Sequence, residues 1–253
     1  MLSRLQIPRI STRGYYDLTN GKTLKKNPYF LYPKKSFKKL SAKKEITIMI
    51  HGMQNDRNGA VAKFKIAKRR LKALGYSNPV IGFSYDANTK GAHLKKTEAR
   101  ALRAGQKIAK KNGTNLAKFI LDFKEQSPKT KIRLIGHSLG AEVILSTLES
   151  LSRKTKFPLV ESVHFFGASL TSNVASSKKS SKILQKMIAS KIINYYSPSD
   201  EVLRHSYEMR YVKTPLGLFG ASGKTISKYI QKKVKPKNHR FVSYARILRS
   251  FPY

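Results

Sequence analysis

The apolar run Ile132-Arg133-Leu134-Ile135 breaks off into Gly136-His137-Ser138-Leu139-Gly140, and a helix-forming stretch follows at once. No other feature constrains the fold as much. A strand delivered straight into Gly-x-Ser-x-Gly, with a helix on the far side, lifts the middle residue clear of a sheet edge. The turn is so tight that Gly136 and Gly140 leave almost no room for a side chain. The helix N-terminus beneath the serine offers backbone N–H groups and a favourable dipole to a developing negative charge. Ser138 is therefore the candidate nucleophile. Short Gly/Ser patterns also arise by chance, so its partners must be found elsewhere in the chain.

Apolar strands alternate with helical patterns around this turn. Ile46 to Ile50 reads as a buried strand ending in His51-Gly52. Ala60, Phe64, Ala67, Leu71 and Leu74 mark one face of a helix that Gly75 closes. Val80 to Phe83 is the next strand, and a helical region runs from about Leu94 to Phe123, with Asn112-Gly113 expected to break it. Beyond the elbow, Val143, Ile144, Thr147, Leu148 and Leu151 form the inner face of a helix. Strands are expected at Ser162–Phe166, Ile192–Tyr196 and near Tyr229–Val234, with a closing helix over Phe241–Leu248. This alternation predicts an α/β fold, a mostly parallel central sheet with helices on both faces. Ligands then gather at the carboxyl ends of the strands.

No repeat or flexible linker divides the chain of 253 residues. Residues 1–44, a hairpin turning at Asn20-Gly21 followed by a lysine-rich segment, are read as part of the same domain as the core, 45–253. With no cysteine, disulfides, thiolate metal sites and cysteine nucleophiles are excluded. Met1 to Arg13 carries three arginines among apolar residues, but Pro8 breaks the amphipathic helix that an organelle presequence needs. A cytoplasmic protein, or one held peripherally at a membrane, is the expectation. The net charge of +39 draws such a chain to polyanions. Its densest stretch, Lys22 to Lys44, interleaves nine lysines with Tyr29, Phe30, Tyr32 and Phe37, a composition suited to a single strand or a membrane interface. The lysines continue along the whole chain, however, which favours general solvation. Arginine forks are scarce, which argues against nucleic acid as a specific partner.

A serine hydroxyl needs a base, and histidine titrates in the useful range. His51 and His137 sit inside turn motifs, while His93 and His164 suit a surface and a core position. Of the two later histidines, His205 reads as a surface residue and His239 lies in a loop just before the last helix, where its ring can reach the sheet edge. His239 is the expected base. Asp200 is the only aspartate after Ser138 and follows a strand through Ser197-Pro198-Ser199, which makes it the expected acid, with Glu201 as the fallback. Leu139 and Met53 are expected to supply the two backbone donors of an oxyanion hole. No metal or other cofactor is called for.

The His51-Gly52-Met53 turn, the elbow, the Ser199-Asp200 turn and the late His239 together resemble α/β-hydrolases of the esterase/lipase type. The resemblance spans about Glu45 to Leu248, and the order Ser138, Asp200, His239 is the order of that fold. It implies a serine hydrolase that cleaves a carboxylic ester, lipid or other acyl ester, through an acyl-enzyme intermediate. The positive charge separately adds an anionic membrane surface to the partners such a chain could meet. A catalytically vestigial protein on the same scaffold that binds an anionic membrane or polymer is the alternative, as is an acyltransferase using the same triad. The long interval from Asp200 to His239 implies an insertion around Tyr207 to Lys224. There Tyr207, Met209, Tyr211, Leu216, Leu218 and Phe219 either line an acyl pocket or pack the insertion down. Gly217 to Thr225 superficially matches a phosphate-binding loop, but Leu218 stands where a glycine is needed, and a mobile glycine-rich loop is expected instead.

Overall fold

The computed structural model describes residues 7–252; Met1 to Gln6, which open the stretch weighed as a presequence, lie outside the described residues. Two short strands come first, β1 (Arg9–Ser11) and β2 (Phe30–Tyr32), then a small helix α1 (Lys34–Lys38). The alternating body follows as β3 (Glu45–Ile50), α2 (Arg57–Ala73), β4 (Val80–Ser84), α3 (Glu98–Gln126), β5 (Lys131–His137) and α4 (Gly140–Ser152). It continues through β6 (Ser162–Phe166), α5 (Lys178–Met187), β7 (Ile192–Tyr196), α6 (Glu201–Glu208), α7 (Leu216–Phe219), β8 (Tyr229–Lys233) and α8 (Phe241–Ile247). Among the described residues the strands form one sheet in the order β2-β1-β4-β3-β5-β6-β7-β8. Only the β1–β2 pair is antiparallel. This is an α/β fold, a mostly parallel central sheet with helices on both faces.

Both faces of the sheet are apolar, so the strands read as nearly continuous hydrophobic runs. Successive residues still part company. Ile48, Leu134, Phe165 and Ile192 join the core beneath α3, α4 and α5, whereas Met49, Ile135, Phe166 and Ile193 join the one beneath α2 and α8. Where β3 and β5 begin, a buried fork joins Arg133 Nε and Nη2 to Glu45 at 2.7 and 2.9 Å, and Arg133 Nη1 donates to Ser162 Oγ at 2.8 Å. That bidentate geometry fixes the register of three neighbouring strands at the edge away from the site.

Two expectations need correcting. Asn112-Gly113 does not interrupt the long helix, because α3 runs unbroken through both residues. A Cβ on Gly113 would lie 2.4–2.8 Å from the Cβ of Ser146 and the backbone of Ser146 and Thr147, so the glycine marks where α3 and α4 cross closely. Asn112 Nδ2 donates to the Ile108 carbonyl, and its Oδ1 accepts from Thr12 Oγ1 at 2.6 Å, tying the N-terminal segment to the helix. The expected hairpin around Asn20-Gly21 is likewise reduced to a turn with one bridge, Tyr16 to Thr23. The N–H groups of Gly14, Tyr15 and Tyr16 donate to the Asp86 carboxylate at 3.0–3.1 Å instead of to a ladder. The extended pairing of this region falls at β1 and β2, and β1 joins the parallel sheet against β4.

The lysine-rich stretch is partly structural. Tyr29 and Phe37 pack edge-on against Phe119 of α3, and Tyr29 donates to Asp122 at 2.7 Å. Phe30 and Tyr32 stay exposed, with Arg9 stacked over Tyr32. No helix among the described residues is long and apolar enough to cross a membrane.

Replacing Gly113 by valine is expected to lower the unfolding free energy by about 1–3 kcal/mol through overpacking of the α3–α4 crossing. Urea denaturation measures it, and an unchanged midpoint would show that the helices part there without strain.

Candidate active site

The carboxyl ends of β3, β5, β6 and β7 meet at one rim. Ser138 occupies the elbow between β5 and α4 with φ of 53°, a left-handed conformation that non-glycine residues adopt only when their surroundings impose it. Crowding imposes it here. A Cβ on Gly140 would lie 2.5 Å from the Ile50 carbonyl oxygen, and one on Gly136 would lie 2.7 Å from Ile144. The Ser138 N–H donates to Phe166 O at the end of β6.

Asp200 is the N-cap of α6, and its two oxygens have separate tasks. Oδ1 accepts the Leu203 N–H at 3.2 Å, capping the helix. Oδ2 accepts from His239 Nδ1 at 2.7 Å and from the Tyr244 hydroxyl at 2.6 Å. Burial alone would raise the Asp200 carboxyl. The bond and charge of His239, with the Tyr244 and Leu203 donors, outweigh that and hold it below the ordinary 3.8. The carboxylate is thus ionised near neutrality and fixes His239 as the tautomer with its proton on Nδ1. His239 Nε2 is buried and has no hydrogen-bond partner among the described residues.

Ser138 and His239 line the same cleft, of about 960 Å³. They do not hydrogen-bond to one another; the Ser138 hydroxyl rests 3.5 Å from Ser169 Oγ. Glu201, the fallback acid, is an exposed residue opening α6. His205 lies within α6, exposed, and contacts Glu98 at 3.1 Å. His93 is exposed, and His164 is buried in the core, where burial first and then the Arg133 charge push it down to about 3.

Met53 and Leu139 both line the cleft, and among the described residues neither backbone N–H meets an acceptor. The loop that carries Met53 is held from behind. Asn55 Nδ2 donates to the carbonyls of Gly52 and Met53 at 3.0 and 2.7 Å. His51 is buried, and burial with the neighbouring Arg13 charge keeps it neutral. Its Nε2 faces two obligate donors, Tyr85 N–H at 3.2 Å and Arg13 Nη2 at 3.3 Å, so the proton sits on Nδ1 and goes to Gly52 O at 2.8 Å. Arg13 also donates to the carbonyls of Asn55 and Asp56, each at 2.9 Å.

Three residues that sequence reasoning did not single out complete the arrangement. Tyr244 donates to Asp200, Ser169 faces the Ser138 hydroxyl, and His137 Nε2 donates to the His239 carbonyl at 2.7 Å. Burial first, then the His239 charge, push His137 down to about 3, so it is a neutral strut. Its place in the Gly-x-Ser-x-Gly run was the one available signal.

The segment expected to be an insertion behaves differently from a mobile loop. A Cβ on Gly217 would lie 2.3 Å from the backbone of Gly167 and Ala168. Gly217 N–H donates to Ala168 O and Gly217 O accepts from Ser197 N–H, so α7 clasps the ends of β6 and β7. Of the six residues considered for an acyl pocket only Tyr211 lines the cleft. Leu216 and Leu218 are buried, while Tyr207 and Phe219 pair edge-to-face at 5.0 Å on the surface and Met209 is exposed. Among the described residues no three histidines or carboxylates gather as a metal site.

Replacing Tyr244 by phenylalanine is expected to cost about 1.5–3 kcal/mol of stability near neutral pH, the range for a hydrogen bond to a charged group. A carboxyl held low stabilises the fold above its unfolded value and loses that contribution as pH falls through its folded value. The deficit should therefore be full well above pH 3.8 and shrink below it. Urea midpoints across pH 2–7 test this, and a deficit that stays constant with pH would break the link to Asp200.

Comparison with curated proteins finds no match. Similar solved structures include a lipase-esterase related protein from Clostridium acetobutylicum ATCC 824, 14% identical, covering 81% of this chain and 92% of that one with a TM-score of 0.41. A cutinase-like protein from Cryptococcus sp. is 12% identical, covering 75% of each chain with a TM-score of 0.36. A serine hydrolase without a lid from Xanthomonas campestris is 13% identical, covering 79% of this chain and 78% of that one, at 0.42. Likenesses this distant leave the chemistry to be read from this chain's own side chains. One family model matches residues 100–232, a span that takes in Ser138 and Asp200 and stops short of His239; it is that of the family described as Protein of unknown function (DUF726), and the chain belongs to it.

Proposed function

We propose that this protein is a serine hydrolase that cleaves a carboxylic ester through an acyl-enzyme intermediate. The observation that carries the reading is the buried Asp200–His239 pair at 2.7 Å, which leaves His239 Nε2 unpartnered in the cleft that Ser138 lines. A base so oriented has an available lone pair and a carboxylate ready to stabilise the imidazolium.

Substrate binding turns the Ser138 hydroxyl from Ser169 towards His239 Nε2; catalytic hydrogen bonds are commonly loose before substrate arrives. Oγ attacks the ester carbonyl as Nε2 takes its proton. The tetrahedral oxyanion is met by the N–H groups of Met53 and Leu139, whose loops are already fixed by Asn55, His51 and the elbow. Asp200 remains ionised throughout. The imidazolium then protonates the departing alcohol, and water, activated by the same nitrogen, releases the acid and restores Ser138. The substrate is a small-molecule or lipid ester.

Ser138→Ala should abolish both esterase turnover and labelling by a fluorophosphonate probe while leaving the unfolding midpoint close to wild type. Labelling that persists in this variant would remove Ser138 as nucleophile. Asp200→Asn should lower kcat by roughly 10⁴-fold, the consequence of the wrong imidazole tautomer. Steady-state kinetics on short acyl esters reads the effect, and near-normal turnover would move the acid elsewhere.

A further inference from the structure

The cleft is lined by charged side chains of both signs. Among the lining residues are Lys63 of α2 and Arg240, which occupies the N-cap position of α8. In a chain with 52 lysines and arginines a single surface cation says little. These two differ from the rest because both line the cleft of His239 and lie close enough for the charge of one to act on the other, and among the described residues neither is in an ion pair. Lys63 is half-buried, with its ammonium donating to Asn55 Oδ1. Burial and then the Arg240 charge depress it, with Asp56 a weaker counterweight. Asp56 Oδ1 is engaged in capping α2 through Gly59 N–H. The Arg240 guanidinium is exposed and makes no hydrogen bond among the described residues.

The same lining holds a group of different character. Glu98 is held there by His205 at 3.1 Å and by the Tyr211 hydroxyl at 3.4 Å, beside apolar Leu102, Val202 and Val212. A ligand in the cleft thus meets two cations that lie outside any ion pair among the described residues, together with apolar Leu102, Val202 and Val212 and a carboxylate already held by two donors. Holding two like charges together is unfavourable until an anion arrives, and a phosphate or carboxylate offers acceptors to both a guanidinium fork and an ammonium.

We propose that Lys63 and Arg240 form an anion subsite, so that the ester cleaved at Ser138 carries a phosphate or carboxylate on one side of the scissile bond and an apolar acyl group on the other. The substrate class rests on the hydrolase reading; the subsite does not. It is a recognition site, and the two cations take no part in the bond changes.

Binding of hexyl phosphate and of hexanol to the Ser138→Ala protein, followed by calorimetry, tests the subsite without turnover. The phosphate should bind roughly tenfold more tightly, the scale of one charge-assisted contact. Adding Arg240→Glu or Lys63→Gln should erase that margin, with thermal unfolding showing that each variant is folded. Equal binding of the two probes, or a preference that survives both substitutions, overturns the subsite. In the protein with Ser138 intact, the ratio of kcat/KM for an acyl ester of a phosphate-bearing alcohol over its neutral counterpart should exceed one and drop below it in Arg240→Glu. A ratio indifferent to the substitution overturns the substrate class. Short-chain soluble pairs and long-chain pairs in vesicles separate a small phosphoester from a lipid headgroup. If hexyl phosphate is preferred while neither ester is cleaved and no fluorophosphonate label forms, the hydrolase reading fails and the subsite stands.

Discussion

The close approach of the elbow to the end of β3 governs the arrangement at the sheet edge. With Gly140 pressed against the Ile50 carbonyl and Ser138 N–H bound to Phe166 O, the ends of three strands are locked at fixed separations. The left-handed backbone at Ser138 is strain that this crowding sustains. Its consequence is pre-organisation: in the proposed reaction, the backbone donors next to the serine and on the β3 loop need not be brought together when substrate binds.

Around that fixed point, neutral histidines do mechanical work. His51 and His137 are both buried and uncharged, and each uses one ring N–H to hold a backbone carbonyl, Gly52 and His239 respectively. An imidazole suits the task because it is flat, rigid and able to donate one bond without importing a charge beside Ser138. The only ionised group the candidate triad keeps beneath His239 is Asp200, and it is surrounded by donors.

Much of this was legible in the residues, for identifiable reasons. Ser138 announces itself because its backbone geometry demands glycine neighbours. Asp200 and His239 were narrowed by scarcity, one late aspartate and one late loop histidine in a chain poor in both types, and the structure brings these two together. What stayed hidden depends on contacts far apart in sequence. Gly113 carries the residue type of a helix breaker, but the neighbour that makes it necessary, Ser146 on α4, is set by tertiary packing. Tyr244 looks like any aromatic on a closing helix until Asp200 is found beneath it. The β1 strand is too short for periodicity to reveal, and its register comes from β4.

Arg13 gives the N-terminal segment a mechanical link to the rim that carries Ser138. Its guanidinium grips the peptide carbonyls of Asn55 and Asp56 and touches His51, while the three residues after it are anchored on Asp86. Tension applied upstream, by a bulky fusion or by proteolytic trimming into β1, would therefore reach the peptide groups of Asn55 and Asp56, beside the loop that carries Met53. The segment that follows β1 is in this sense a tendon, and the loop that carries Met53 is tied to a residue some forty positions before it.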